Sequence, residues 1–334
     1  MTITQDRYID TSEHNRKKWM KPAYKTSWGT MYQGDCEAAL KSYPITLRKG
    51  KVQLILTSPP FPLNRKKKYG NRTGEEYMNW LKDLAPLFRE YLTSDGSIIL
   101  ELGNAWEVGK PIMSTLPLKA LMAFLEAAEL NLCQEFICYN PARLPTPAQW
   151  VTVERIRVKD SFTRVWWMSL SERPKANNRN ILTEYSKSMK ELLRKGTYNA
   201  GPRPSGHHIG EKSFLSDNGG AIPPNVFVPS RESSELINIL PISNTRTNDP
   251  YQIYCRQNSI PPHPARMQAD LAKFFIQFLT DRRDLVLDPF AGSNTTGSAA
   301  QELRRRWLSI EQDIDYVCTS EVRFKPEMLN EASI

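Results

Sequence analysis

The chain is poor in groups that bind metals or form disulfides. Its 334 residues include five cysteines and four histidines. Cys36, Cys133, Cys138, Cys255 and Cys318 are scattered and too few histidines accompany them to complete a zinc-finger pattern. No metal is expected, and the thiols read as reduced core residues. No apolar run approaches the ~20 residues that span a bilayer, and no secretory signal opens the sequence. Together these absences point to a cytoplasmic protein with no membrane partner. No internal repeat is visible, which sets solenoids aside. Acidic residues are also scarce, with 36 Asp and Glu against 45 Lys and Arg, a formal net charge of +9. A field of that sign attracts polyanions and releases their counterions, so nucleic acid is the first partner to consider. The excess is local, at Arg16-Lys17-Lys18 with Lys21, at Arg65 to Lys68 and at Arg304 to Arg306. Solvated faces produce the same clusters, so charge alone decides nothing.

The apolar fraction of 40% and charged fraction of 24% are those of an ordinary globular protein. From residue 26 to 170, apolar strand candidates alternate with amphipathic helical stretches, the pattern of an α/β sheet. The strands read as 30–33, 52–57, 97–102, 133–139 and 163–169, and the helices as 36–43, 75–91 and 117–129. Trp166 and Trp167 read as part of a buried strand. Near Ser171 the character changes to a stretch rich in Asn, Ser, Gly and Pro, with turn signals at Arg203–His208 and Asp217–Gly220. This is read as an insertion. Regularity returns at His263-Pro264-Ala265-Arg266, which is expected to open a helix, followed by a strand into Asp288, a strand at 307–310 and a closing helix at 316–324.

Two turns stand out. The run Asp288-Pro289-Phe290-Ala291-Gly292-Ser293-Asn294-Thr295-Thr296 follows the apolar Leu285-Val286-Leu287 and leads into a helical stretch expected to end at Arg304–Arg306. In open α/β sheets ligands sit at such strand ends, where helix N-termini present backbone N–H groups. Gly292 would let the backbone approach a ligand closely, and Asp288 could accept from a ligand amino group. Glu311 ends the next strand, where a carboxylate can take two ribose hydroxyls. The turn lacks the lysine of a P-loop. An adenosine ligand without phosphates is S-adenosylmethionine.

The second turn is Thr57-Ser58-Pro59-Pro60-Phe61, after the strand Val52–Leu56. Its two prolines fix φ and remove two N–H donors, leaving a stiff loop of acceptors. Acceptors suit an amine: Ser58 Oγ and the Pro59 carbonyl could hold both N–H groups of an exocyclic amine, with Phe61 stacked on a flipped base. Glu101 should also face the cleft as a candidate proton acceptor. A carboxylate tied to a loop fits the same position, and a methylated amine is acidic enough to need little help from a base.

These residues resemble the permuted, β-class amino-directed DNA methyltransferases, in which the catalytic turn precedes the cofactor turn. Thr57–Phe61 resembles the Ser-Pro-Pro motif of the cytosine-N4 type, and Asp288–Thr296 resembles their S-adenosylmethionine motif. His263-Pro264-Ala265-Arg266 looks like the helix motif beside the methionine moiety, and Gly34-Asp35 like the acidic turn that contacts the adenine ring. Lys21–Tyr24, Arg65–Lys67 with Tyr69–Asn71, Ile156–Asp160 and the 203–225 stretch extend the likeness to one cytosine-N4 modification methylase over most of the chain. The resemblance implies a Rossmann-like α/β fold with a mostly parallel seven-stranded sheet in permuted motif order. It implies a flexible basic segment at 1–25, a catalytic half at 26–170, a target-recognition insertion at 171–262 and a cofactor half at 263–334. It also implies a site-specific methyltransferase acting on cytosine N4 in duplex DNA, working as a monomer beside a restriction endonuclease. Catalytic residues would be Ser58, Pro59, Pro60, Phe61 and Glu101. The cofactor would be held by Asp35, His263, Pro264, Ala265, Asp288, Pro289, Phe290, Gly292, Ser293, Asn294, Thr295, Thr296 and Glu311. Two departures bear on this: Glu101 stands where that methylase has aspartate, and the stretch 229–256 is the least similar. The recognised site could therefore depart from the palindrome CAGCTG that the resemblance indicates.

Adenine-N6 methylation obeys the same pocket logic, though those enzymes more often carry Asp or Asn at the Ser58 position. Methylation of an amide in protein or RNA suits the long insertion less well. A regulator built on an inactive methyltransferase fold is opposed by the intact turns and Glu311. Cytosine-C5 chemistry needs a cysteine nucleophile beside a proline, and no cysteine here follows one. In the insertion, Arg203, His207, His208 and Lys212 could read base edges, hold phosphates or simply be loop residues. Arg65, Lys66, Lys67 and Lys68 should grip the backbone around the flipped base. Neutralising all four is expected to weaken duplex binding and flatten its salt dependence by about 0.9 in log–log slope for each phosphate no longer neutralised. A salt titration of binding with an unchanged slope would remove them from the interface.

Overall fold

Every residue of the strand Val52–Thr57 is buried, the mark of a strand covered on both faces. The computed structural model describes residues 20–41, 47–61, 72–210, 213–228, 240–241, 249–325 and 327. Its first half comprises β1 (Pro22–Lys25), β2 (Gly29–Gln33), α1 (Cys36–Lys41), β3 (Val52–Thr57), α2 (Gly74–Tyr91), β4 (Leu92–Gly103), α3 (Leu116–Ala128), β5 (Asn131–Tyr139) and β6 (Phe162–Ser169). The segment that follows holds α4 (Lys187–Lys195), the hairpin strands β7 (Gly201–Pro202) and β8 (His208–Ile209), β9 (Val226–Val228), β10 (Leu240–Pro241) and α5 (Pro250–Gln257). The chain closes with α6 (Ala269–Leu279), β11 (Leu285–Asp288), α7 (Thr295–Glu302), β12 (Arg306–Glu311) and α8 (Ile314–Ser320).

Ten strands form one sheet in the order β1-β2-β12-β11-β3-β4-β6-β5-β9-β10. The expected seven-stranded sheet is thus enlarged, by short strands at both edges. The run β2-β12-β11-β3-β4 is parallel, while β6 pairs antiparallel with both β4 and β5. The sheet is therefore mixed. Pro22–Lys25, read from sequence as part of a loose terminal segment, is instead the edge strand β1, held by buried Tyr24.

Alternation along the strands supplies two cores. Ile55, Ile98, Leu100 and Leu287 pack with α2 and α3, whose Tyr77, Leu81, Leu84, Phe88, Leu121 and Phe124 recur at helical spacing. Leu54, Leu56, Ile99 and Val286 face the other way, onto Phe275, Ile276 and Leu279 of α6. Removing from water the two apolar faces of such a sheet is the main favourable term for the fold.

Several sequence expectations shift. No helix opens at His263–Arg266; α6 begins at Ala269. The helix after the cofactor turn ends at Glu302, and Arg306 already belongs to β12. The turn-rich segment contains the regular helix α4, capped by Ser186 Oγ accepting from Met189 N at 3.2 Å and closed by left-handed Gly196. Cys36, Cys138 and Cys255 are buried thiols, but Cys318 is exposed and Cys133 half-buried. Among the described residues no helix is long and apolar enough to cross a membrane.

Arg305 changes role most. It reads as part of a surface cation cluster, yet it is buried, with Nε donating to Thr280 Oγ1 at 3.0 Å, Nη2 to the Thr280 carbonyl at 2.7 Å and Nη1 to the Leu303 carbonyl at 2.7 Å. Replacing it with an apolar side chain strands those acceptors. Arg305→Met is expected to lower stability in urea unfolding by about 2–4 kcal/mol, while leaving the salt dependence of polyanion binding unchanged.

Candidate active site

Parallel order places the carboxyl ends of β2, β12, β11 and β3 along one edge, and the four turns that follow them line one cavity of about 500 Å³. Ser58, Pro59, Pro60 and Phe61 come from the end of β3 and Asp288, Pro289, Phe290, Gly292, Ser293, Thr295 and Thr296 from the end of β11. Glu311 follows β12 and Asp35 follows β2, while His263 and Ala265 close one wall. The two turns singled out in sequence, some 230 residues apart, thus share one space.

Of the other expected site residues, Pro264, Asn294 and Glu101 do not line this cavity. Pro264 is exposed. Asn294 is fully buried and acts as a strut. Its Oδ1 accepts from Gly297 N at 3.2 Å and Ser309 Oγ at 2.7 Å, and its Nδ2 donates to Tyr24 Oη at 2.9 Å. It caps the start of α7 while itself in the left-handed conformation, at φ 53°. Glu101 lies one hydrogen bond back from the cavity. Its carboxylate accepts from Thr163 Oγ1 at 3.0 Å and from the Ser58 hydroxyl, and burial raises its pKa against those bonds and the nearby Arg143 charge. Arg65 to Lys68 and Lys212 lie outside the described residues. Arg203, His207 and His208 sit away from the cavity on the β7–β8 hairpin, where both histidines are exposed and Arg203 Nη2 is tied to the Asn199 carbonyl at 2.6 Å.

Each turn is held for a definable reason. Thr57 Oγ1 donates to Asp288 Oδ1 at 2.8 Å, joining the two strand ends directly. The same carboxylate oxygen accepts from Phe290 N at 3.1 Å. Burial nonetheless pushes the Asp288 carboxyl up to about 6, with the Thr296 and Thr57 hydroxyls opposing. Glu311 Oε2 accepts from Gly292 N at 2.7 Å and its Oε1 from Asp313 N at 2.9 Å. Each oxygen keeps a lone-pair direction for a further donor. Gly292 has φ +49°, and any Cβ there would lie 3.1 Å from the His263 ring, so both conformation and space favour glycine. Phe61 lies against Gly103 so closely that a Cβ on Gly103 would meet its ring at 2.7 Å. The ring is therefore pressed onto the end of β4 while it lines the cavity.

The lining also includes residues that sequence reading passed over. Arg72 stacks on Trp80, 4.9 Å from its ring centre, and Trp80 meets Phe290 edge to face at 5.5 Å. Trp80 reads in sequence only as one more residue of an amphipathic helix. Tyr316 meets His263 at 4.4 Å, and Asp313 follows Glu311 by two residues, a repeat of acids legible in the sequence. In total the lining sets Asp35, Asp288, Glu311 and Asp313 against Arg72 and Arg266, and Arg266 stands 3.8 Å from Asp249 outside the lining. The cavity is acidic, suited to a ligand of net positive charge with hydroxyls and a flat ring.

His263 shows how the wall is tuned. Ala265 N donates to its Nδ1 at 3.2 Å, which requires a lone pair there and puts the proton on Nε2. Burial, aided by the Arg266 charge, lowers its pKa to about 4. An unfolded histidine takes its proton near 6.5, so this group removes stability as pH falls from 6.5 toward 4. Proton–nitrogen correlation NMR is expected to show His263 as the neutral Nε2–H tautomer down to about pH 5; a midpoint near 6.5 would contradict its buried setting.

The chain is similar to known proteins in sequence and fold. A family model described as DNA methylase matches residues 52–321. Type II methyltransferase M.PvuII of Proteus hauseri is 41% identical over 316 residues, covering 94% of this chain and 89% of that protein. Type II methyltransferase M.BglII of Bacillus subtilis is 24% identical over 297 residues, 86% of this chain and 66% of that one. The solved PvuII DNA methyltransferase, described as cytosine-N4-specific, superposes with a TM-score of 0.70 at 34% identity over 94% of this chain and 95% of its own. TTHA0409 of Thermus thermophilus, solved with S-adenosyl-L-methionine, reaches a TM-score of 0.50 at 17% identity, over 89% of this chain and 93% of its own, a likeness of fold alone.

Proposed function

The chain belongs to the DNA methylase family, and from that membership we propose that it is a site-specific DNA methyltransferase. It moves a methyl group from S-adenosyl-L-methionine to the exocyclic N4 amine of a cytosine flipped out of duplex DNA. The observation that supports this most directly is the meeting of Ser58–Phe61 and Asp288–Thr296 in one acidic cavity. The 41% identity to M.PvuII favours cytosine N4 as the target. The catalytic turn precedes the cofactor turn in sequence, the permuted order. Residues 26–170 form the catalytic half, 263–334 the cofactor half, and 171–262 the insertion that reads DNA, with Arg203, His207 and His208 on its exposed hairpin. The protein would act in the cytoplasm as a monomer and protect sites against a partner endonuclease in a type II restriction-modification system.

The cavity fits the cofactor on charge and on donors. S-adenosylmethionine is a net cation at neutral pH, and the lining carries four carboxylates against two guanidiniums. Glu311 retains acceptor capacity that would take the two ribose hydroxyls, Asp35 would meet the adenine, and His263 and Ala265 would flank the methionine portion. When bound, the cofactor supplies an electrophilic methyl group on a positively charged sulfur.

The rest is the work of the chain. The Ser58 hydroxyl, engaged with Glu101, keeps lone pairs for one amine N–H, and the Pro59 carbonyl accepts the other. Holding both N–H groups in this way draws the nitrogen lone pair out of conjugation with the ring. Phe61, backed by Gly103, offers a flat apolar face for the base. Glu101, whose proton affinity burial raises, stands one hydrogen bond behind Ser58 to receive the proton that the amine sheds. No covalent intermediate with the chain is required.

Mass spectrometry of nucleosides from plasmid DNA, carried by cells making the wild-type or the Ser58→Ala protein, tests the reading. N4-methylcytosine is expected with wild type and is expected to fall at least about 100-fold with Ser58→Ala. N6-methyladenine would move the target to adenine, and an absence of either modified base would overturn the assignment.

A further inference from the structure

Of the thirteen large apolar side chains that stand exposed among the described residues, seven lie on two loops, 104–114 and 141–160. Val158 is 86% exposed and Leu144 76%. The first loop follows β4 and the second joins β5 to β6. Gly103 pairs with Thr163 and Tyr139 with Phe162, so both loops leave the sheet at the edge that carries Ser58.

The loops are braced to each other and to the site. Arg157 lies on the Trp106 indole, 3.1 Å from its centre. Asn104 Nδ2 donates to Asp160 Oδ1 at 2.9 Å, Arg143 Nη1 donates to Asp160 Oδ2 at 3.0 Å, and Lys159 Nζ donates to the Pro141 carbonyl at 2.6 Å. The charge of Arg143 reaches Glu101, which holds Ser58. A loop rooted this firmly displays its apolar groups by construction rather than by looseness. From 155 to 159 the sequence alternates Arg155, Ile156, Arg157, Val158 and Lys159. A protein partner would be met by a continuous apolar patch with a polar rim. With Arg157 and Lys159 held by Trp106 and Pro141, the exposed Arg155 stands beside the exposed Ile156 and Val158, a cation next to apolar groups that instead matches a duplex, with phosphates outside and base faces inside.

We propose that the 153–159 segment enters the duplex beside the target, with Val158 filling the place in the base stack that the flipped base leaves and Arg155 on an adjoining phosphate. This rests on the methyltransferase reading, because it takes the substrate to be a duplex opened at one base. Unstacking a base costs a few kcal/mol, and a side chain that occupies the gap offsets part of that cost. Val158 is then a positioning residue, acting on the state of the DNA rather than on the reacting atoms.

The test uses the full-length protein and a duplex target selected by binding from a random pool. Two versions differ only in whether guanine or an abasic site stands opposite the target base. Val158→Ser, at a position outside both cores, is expected to lower kcat/KM about 30-fold on the paired duplex and less than about threefold on the abasic one, where little pairing resists opening. Equal losses on both duplexes, or none on either, would overturn the proposal. Replacing the target base with 2-aminopurine gives a readout that needs no methyl transfer. Its emission should rise on binding wild type and stay low with Val158→Ser, and equal emission from the two proteins would refute the role. If wild type methylates neither duplex, the methyltransferase reading fails while the emission still decides what the loop does.

Discussion

The hydrogen bond from Thr57 to Asp288, 2.8 Å long and buried, is the contact on which the site depends. It exists because β3 and β11 are parallel neighbours in a fixed register, Leu54 beside Val286 and Ile55 beside Leu287. A one-residue slip would turn every side chain of β3 to the other face, and both faces are packed. The register is therefore enforced by the whole core, and it sets the distance between Ser58, the residue after Thr57, and the turn that begins at Pro289. Two stretches of chain separated by over 200 residues are held together at the precision of packed strands.

Around that contact the two sides of the cavity are made differently. The cofactor side is a web of buried and part-buried hydrogen bonds: Asn294 to Tyr24 and Ser309, Glu311 to Gly292, and Arg323 to Ser293 through both its backbone carbonyl and its hydroxyl. Such networks hold one geometry when every member is satisfied. The catalytic side relies on covalent stiffness, two prolines in sequence, with an aromatic ring pressed on the end of β4. Burial raises the carboxyls of Asp288, Glu311 and Glu101 alike. A positively charged ligand would relieve that penalty for the first two, so the electrostatic cost of gathering these acids is also the cavity's selectivity for charge.

Much of this is legible in sequence, and what is not has physical reasons. The strand Val52–Thr57 can be placed residue for residue because a run apolar but for Gln53 stops at Thr57-Ser58, just before two prolines. Strand β4 is recognisable from 97 to 102 but begins at Leu92, since Asp95 and Gly96 interrupt the pattern with residues of weak strand character that the neighbouring strands carry. The cofactor turn stands out, yet Asn294 within it points inward as a strut, and no local pattern distinguishes a buried amide from a ligand-facing one. Arg305 looks like surface charge because a triplet of arginines says nothing about which one the fold will bury. Trp80 is invisible as a site residue, since its helix shows the same periodicity whether a ring meets core or cavity.

The pair formed by Asp249 and Arg323, with both guanidinium nitrogens on the carboxylate at 2.8 and 3.0 Å, ties the start of α5 to the carbonyl of Ser293. The stretch between β6 and α5 is anchored where it ends, and it is also held along its length, by β9 in the sheet with buried Phe227 and by Lys175 Nζ on Asp284 at 2.8 Å. The entropy of closing a loop grows only with the logarithm of its length, about 0.6 kcal/mol for each doubling. Between such anchors, as at the β7–β8 hairpin with its exposed histidines, residues can be added or removed at little thermodynamic penalty. The length of the chain is therefore least constrained between these anchors rather than at them.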